Sequence, residues 1–270
     1  MARNGHAYEE PRGHAGRMPL PTRSYIICAN QRSGSNLLCR ALSDTGVAGH
    51  PDEWFLCGGP EDFPPGFTFW EESALAQERG VSDRQGYIDL VHELATTDNS
   101  VFGIKIMFNN VQWIEAKFRE LPRFADVSRR DLYGAIFPDL RVVHLTRRDR
   151  VRQAVSWARA AQDNVWIVTD EGSPEPTGEP GYWREFIAGL EQLIIDGENG
   201  WRALYDELGL DPYEVVYEDL VTPDGYENAL RGILDHLGVD QPDALPPPRT
   251  RQQADDLNED WVNRYIAGAD

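Results

Sequence analysis

Short uninterrupted apolar runs alternate along this chain with longer stretches whose apolar residues recur at helical spacing. "YIICA" at 25–29 has strand length and no polar interruption, the pattern of a strand buried on both faces of a parallel sheet. Beyond it Leu37, Leu38, Ala41 and Leu42 return at helical spacing, and Gly46 follows as the residue that ends the helix. The Gly- and Pro-rich stretch 57–73 breaks regular structure. A helix over 86–95 precedes a second β-rich run, "VFGIKIMF" at 101–108, and 111–121 again reads as helical. The third run, "LRVVHLTR" at 140–147, flows into a helix over 150–162. A polar loop over 168–181 leads to a long helix over 182–208, with a kink expected at its "GENG" segment, 197–200. "YEVVYEDL" supplies a fourth strand ending near residue 218, and a helix over 223–237 follows. "QPDALPPPR" is an extended linker, and "DDLNEDWVNRYIAG" closes the chain as a short amphipathic helix. Strands alternating with helices, without an internal repeat, predict an α/β protein whose parallel sheet is covered on both faces.

The 270 residues, 41% of them hydrophobic, suffice for one large α/β domain, taken as 23–270. Residues 1–22 lack an apolar signal core and are rich in Pro, Gly, Arg and Glu, so a disordered extension is expected there. No apolar run approaches the roughly 20 residues of a membrane helix, so membrane insertion is not expected. A formal charge of −19 argues against a nucleic-acid partner. Any bound anion must then be met by a local cluster of cations and amides. Lysine occurs only at Lys105 and Lys117. Cys28, Cys39 and Cys57 have no metal-ligand spacing, and a reducing, cytoplasmic setting without a metal site is expected.

The loop "QRSGSNLL" at 31–38 joins the first strand to its helix, where free amides and the helix dipole favour an anion. Ser33, Gly34, Ser35 and Asn36 are small or polar enough for a phosphate to approach the backbone. The glycine spacing and lysine of a nucleoside-triphosphate loop are missing, and Arg32 stands in the turn. The shorter loop suits a single phosphate group. A second anion site, distinct from the first, is expected at the end of the third strand, where Arg147 and Arg148 precede Ser156 on the following helix. A salt-bridged surface turn with Asp149 is the alternative reading of those arginines. Two phosphate sites at two strand ends match a nucleotide carrying both 5′ and 3′ phosphates.

That combination resembles the sulfotransferases that use 3′-phosphoadenosine 5′-phosphosulfate (PAPS), with Arg32 at the lysine position of their strand-loop-helix signature and "VVYEDL" like their late tyrosine-acid-acid strand. The closer resemblance is to the bacterial trehalose 2-sulfotransferase family, through "QRSGSNLL", "TGVAGHPDEWF", "GIKIM", "RQAVSWARA" and "QADDLNEDWVNRY". It implies a P-loop-like three-layer fold, PAPS as donor released as PAP, no metal, a sugar or glycoside acceptor such as trehalose, and a homodimer, although no symmetric apolar seam stands out. The resemblance puts the general base at Glu53, with Asp52 its neighbouring competitor. Arg32 and the amides of Ser33 to Asn36 would meet charge on the leaving oxygen, with Lys105 as a second cation. Family spacing favours Arg147 for the 3′-phosphate, while the spacing of other sulfotransferases selects Arg148. The family's C-terminal arginine position holds Gln252 here, and Arg251 is shifted by one. Trp54, Phe55, Trp113, Trp157 and Trp166 are the aromatic candidates for an acceptor wall. A small-molecule kinase or another nucleotide-binding protein with a divergent phosphate loop is the competing function.

Overall fold

The protein is described by a computed structural model covering residues 20–56, 74–167, 172, 175–248 and 256–269. Most of the expected N-terminal extension, the 57–73 segment, part of the 168–181 loop, and Arg251 lie outside the described residues.

Four parallel strands form the sheet: β1 (Arg23–Ala29), β2 (Val101–Met107), β3 (Leu140–Thr146) and β4 (Tyr213–Val216), in spatial order β2-β1-β3-β4. Register aligns Ala29 with Met107 on one side and Leu145 on the other, so β1, β2 and β3 end at one level. Every residue of β2 is buried, and β1 is buried from Ser24 onward, which is why both read as continuous apolar runs.

The helices are α1 (Ser35–Asp44), α2 (Ala74–Glu78), α3 (Arg84–Ala95), α4 (Val111–Arg119), α5 (Arg129–Ile136), α6 (Arg150–Asp163), α7 (Arg184–Leu208), α8 (Tyr217–Leu220), α9 (Pro223–Leu237) and α10 (Asp256–Ala267). Alternation of side chains along β1 divides the interior. Tyr25, Ile27 and Ala29 face one core with α1 and α9. Ile26 and Cys28 face another with α3, α4, α5 and α7. The expected three-layer α/β arrangement results. A third apolar cluster, including Val155, Ile187, Leu190 and Trp261, seals α6, α7 and α10 together.

α7 runs through 197–200 as one uninterrupted helix of 25 residues, and its glycines there admit neighbouring side chains. Two sequence expectations need correction. The fourth strand stops at Val216, and Tyr217–Leu220 is already a helical turn. The helices α2 and α5 were not foreseen; α5 is short and starts at Ser128, whose side chain accepts from the amide of Asp131.

Candidate active site

The chain leaves β1 for β2 on one side and later returns to β3 on the other, so the loops after β1 and β3 diverge at the carboxyl edge of the sheet. Such a switch point opens a crevice for ligands. The loop 30–34 lines it. Arg32 (φ 63) and Gly34 (φ 89) both adopt left-handed backbone, and a Cβ on Gly34 would stand 2.4 Å from Cδ2 of Tyr217. Glycine is therefore required there twice over, by conformation and by space. α1 begins at Ser35 without a side-chain cap, so its first amides have no intrahelical partner. The hydroxyl of Ser33 is fully buried and has no hydrogen-bond partner.

The two anion sites set apart in the sequence reading are joined by Arg32. Its Nε donates to Oγ of Ser156 on α6 at 2.9 Å, and one terminal nitrogen donates to the carbonyl of Trp166. Arg147 donates in turn to the carbonyl of Arg32 at 3.2 Å, and its guanidinium lies over the Tyr217 ring, 4.6 Å from the centroid. Nε of Arg147 makes no hydrogen bond, and its nearest carboxylate oxygen contact is Glu218 Oε1 at 3.9 Å. Burial, and then the charge of Arg147, hold the Arg32 guanidinium down to about 10; burial also lowers that of Arg147. Two half-buried cations thus stand close together, a setting that an anion would relieve. Arg148 turns away from them: it is exposed and pairs with Asp219, while its amide donates to Glu218.

On the other flank of the loop, Glu53 and Lys105 meet. Lys105 projects from β2 with only 3% exposure; its Nζ donates to Oδ1 of Asn36 at 2.6 Å and lies 3.7 Å from Oε2 of Glu53. Burial pushes the Lys105 ammonium down, but Glu53, with smaller help from Cys39 and Asp52, outweighs it and the net shift is upward. The carboxylate is set in place by its backbone: the amide of Lys105 donates to the Asp52 carbonyl at 3.0 Å, and Oδ1 of Asp52 accepts the Glu53 amide at 2.8 Å. Asp52 thus orients its neighbour. Trp54 and Phe55 anchor the segment beyond. Nε1 of Trp54 donates to the His50 carbonyl at 2.8 Å, Tyr87 donates to the Trp54 carbonyl, and Phe55 packs edge-on against Phe118 and Tyr87 in the core.

Of the aromatic candidates, Phe55 is a core residue, and Trp157 packs against the cluster of α6, α7 and α10. Trp166 is half-buried and joins the site through its carbonyl, and Trp113 is 39% exposed. Sequence reasoning missed three supports of the loop. Gln153 on α6 donates to the Gln31 carbonyl at 2.8 Å, Asn109 accepts from the Gln31 side chain at 2.8 Å, and Asn30 reaches α7. It also missed how Tyr217 packs on Gly34, although "VVYEDL" marked that residue. Among the described residues no group of three or more His, Cys, Asp or Glu side chains is placed to hold a metal ion, and no helix is long and apolar enough to cross a membrane.

Comparison with known proteins bears on this geometry. The sequence model described as Stf0 sulphotransferase matches residues 24–268. The chain is 32% identical over 267 residues to the trehalose 2-sulfotransferase of Mycobacterium tuberculosis (strain ATCC 35801 / TMC 107 / Erdman), covering 93% of this chain and 97% of that protein. It is 31% identical over 260 residues to the trehalose 2-sulfotransferase of Mycolicibacterium smegmatis (strain ATCC 700084 / mc(2)155), covering 90% and 94% respectively.

Proposed function

The chain belongs to the Stf0 sulphotransferase family, and from that premise we propose that it moves a sulfuryl group from PAPS to a hydroxyl of trehalose or a similar glycoside, with Glu53 as general base. One observation carries the reading. The 30–34 loop, with Arg32 held by Arg147, runs straight into α1, and Asn36 in the first turn of α1 accepts from the Lys105 that lies beside Glu53, so in this reading donor and base meet at one helix end.

The residues present fit the donor. The buried Ser33 hydroxyl and Nε of Arg147 lack hydrogen-bond partners and suit an oxyanion. In this reading Arg32, the Ser33 hydroxyl and the amides of Ser33 to Asn36 hold the 5′ end, while Arg147 with Ser156 holds the 3′-phosphate. Arg147 is preferred to Arg148, which is occupied with Asp219. Arg251 remains the C-terminal donor contact that the family pattern suggests.

PAPS supplies an activated sulfuryl group whose bond to the bridging phosphate oxygen breaks as the bond to the acceptor oxygen forms. Glu53 takes the acceptor's proton as that oxygen commits itself. Lys105 and the α1 amides stabilise negative charge, and rigid placement of these groups keeps the reacting atoms in line. The kinase alternative is not favoured, because the family is one of sulphotransferases. A cytoplasmic location and a homodimer complete the proposal; the buried, free Cys28 and Cys39 are compatible with a reducing compartment.

Incubation with PAPS and a panel of disaccharides and glycosides, followed by mass spectrometry, tests the reading. A sulfated trehalose-like product is expected; no sulfated product from any sugar would overturn it.

A further inference from the structure

The "GENG" segment of α7 grips the ends of two strands. Nδ2 of Asn30, the residue that opens the anion loop, donates to the Ile194 carbonyl at 3.2 Å and to Oε1 of Glu198 at 3.1 Å. Asn30 reaches both because Gly197 has no side chain: a Cβ there would stand 2.1 Å from the Asn30 side-chain oxygen. One turn on, Nε1 of Trp201 donates to the Ala29 carbonyl at 3.1 Å. A Cβ on Gly200 would stand 1.8 Å from Cζ of Phe108, directly before the Asn109 that holds Gln31. Two helix-interior glycines would ordinarily weaken α7 relative to alanine. Here both open notches for the strand ends beneath the anion loop.

Glu198 is buried, and its other oxygen, Oε2, lies 3.4 Å from Nε2 of the fully buried His144 on β3. Nδ1 of His144 lies 3.1 Å from Oε1 of Glu214 on β4. Tyr205 of α7 meets the His144 ring edge-on, and Cys28 of β1 is paired with His144 across the sheet. A buried carboxylate is costly unless paired and hydrogen-bonded, so Glu198 needs both His144 and Asn30.

We infer that Asn30 and Glu198, seated in the Gly197 notch and backed by His144, are positioning residues for donor binding: they hold the anion loop open in its binding shape. None of them needs to touch the nucleotide. The inference rests on the PAPS reading of the loop. It separates their role from that of the groups near the reacting atoms, which govern turnover.

The test measures PAP affinity by calorimetry and the steady-state constants for PAPS in wild type, Asn30→Ala, Glu198→Ala and Glu198→Gln, at a temperature where each is folded. The two alanine variants are expected to raise Kd for PAP and KM for PAPS about tenfold, with kcat held within about threefold, the scale of one lost buried hydrogen bond. Glu198→Gln keeps an oxygen for Asn30 and is expected to restore both constants to within about threefold of wild type. Should Glu198→Ala fail to fold, Asn30→Ala decides alone. Unchanged PAP affinity in the folded alanine variants, a loss confined to kcat, or a Glu198→Gln defect as deep as that of Glu198→Ala would overturn the inference. Wild type that binds no PAP would overturn the donor reading itself, and this inference with it.

Discussion

Oε2 of Glu53 lies 3.7 Å from Nζ of Lys105, and the same Nζ donates to Asn36 in the first turn of α1. The carboxylate proposed as general base is thereby tied to the start of α1. Replacing Glu53 with Gln keeps the shape and removes the base. Activity is expected to fall by about 10²- to 10⁴-fold, the usual worth of a positioned acid or base, while PAP affinity stays within about twofold. Single-turnover kinetics beside calorimetry check the pair of results, and near-normal turnover would remove Glu53 from the reaction.

Arg147 and Arg148 are neighbours in sequence with different partners. Arg147 contacts the Arg32 carbonyl, whereas Arg148 pairs with Asp219 at the surface. Arg147→Ala is expected to weaken PAP binding at least about tenfold and to leave adenosine 5′-phosphate, which lacks the 3′ group, within about threefold. Arg148→Ala is expected to change neither by more than about twofold, as for an exposed pair. Calorimetric titration with both nucleotides separates the two arginines.

Gly34 combines a φ of 89 with a Tyr217 ring where its side chain would go. Gly34→Ala is expected to destabilise the fold by roughly 1–3 kcal/mol and to abolish measurable PAP binding. Chemical denaturation and calorimetry read the two effects. Binding that survives would mean that Tyr217 can yield without disturbing the loop.

His144 makes stability depend on pH. Burial alone would lower its affinity for a proton, but Glu198 and Glu214 reverse that and raise it to about 9. The folded value exceeds the unfolded one of roughly 6.5, so the contribution is complete below about pH 6.5 and is lost as pH climbs through 9. Unfolding free energy is expected to fall by up to about 3 kcal/mol between those limits. In His144→Gln that decline should shrink. Urea titrations at pH 6.5, 8 and 9.5 provide the measurement; equal slopes in both proteins would contradict the assignment.

The apolar runs disclosed β1, β2 and β3 because strands buried on both faces carry no competing pattern, as in the all-buried β2. The end of β4 was misread because Tyr217 serves the Gly34 loop and Glu218 accepts the amides of Arg148 and Asp149, contacts that no local pattern announces. The "GENG" glycines signalled something unusual but not its nature. A glycine admitting Asn30 and one permitting a bend are spelled alike. The loop motif located one half of the site, yet its union with Lys105 depends on strand order, which places β2 beside β1. The network of His144, Glu198 and Asn30 links three distant segments and was invisible before folding.

The hydrogen bond from Lys105 to Asp52 has another result. β2 is the outer strand of the sheet, and this bond, with the antiparallel bridge between Thr96 and Phe102, occupies backbone groups that would otherwise invite pairing with a second molecule. The strap that carries Glu53 is therefore also a selvedge. Substitutions that loosen it should bring a tendency for β2 to pair edge to edge with a second molecule.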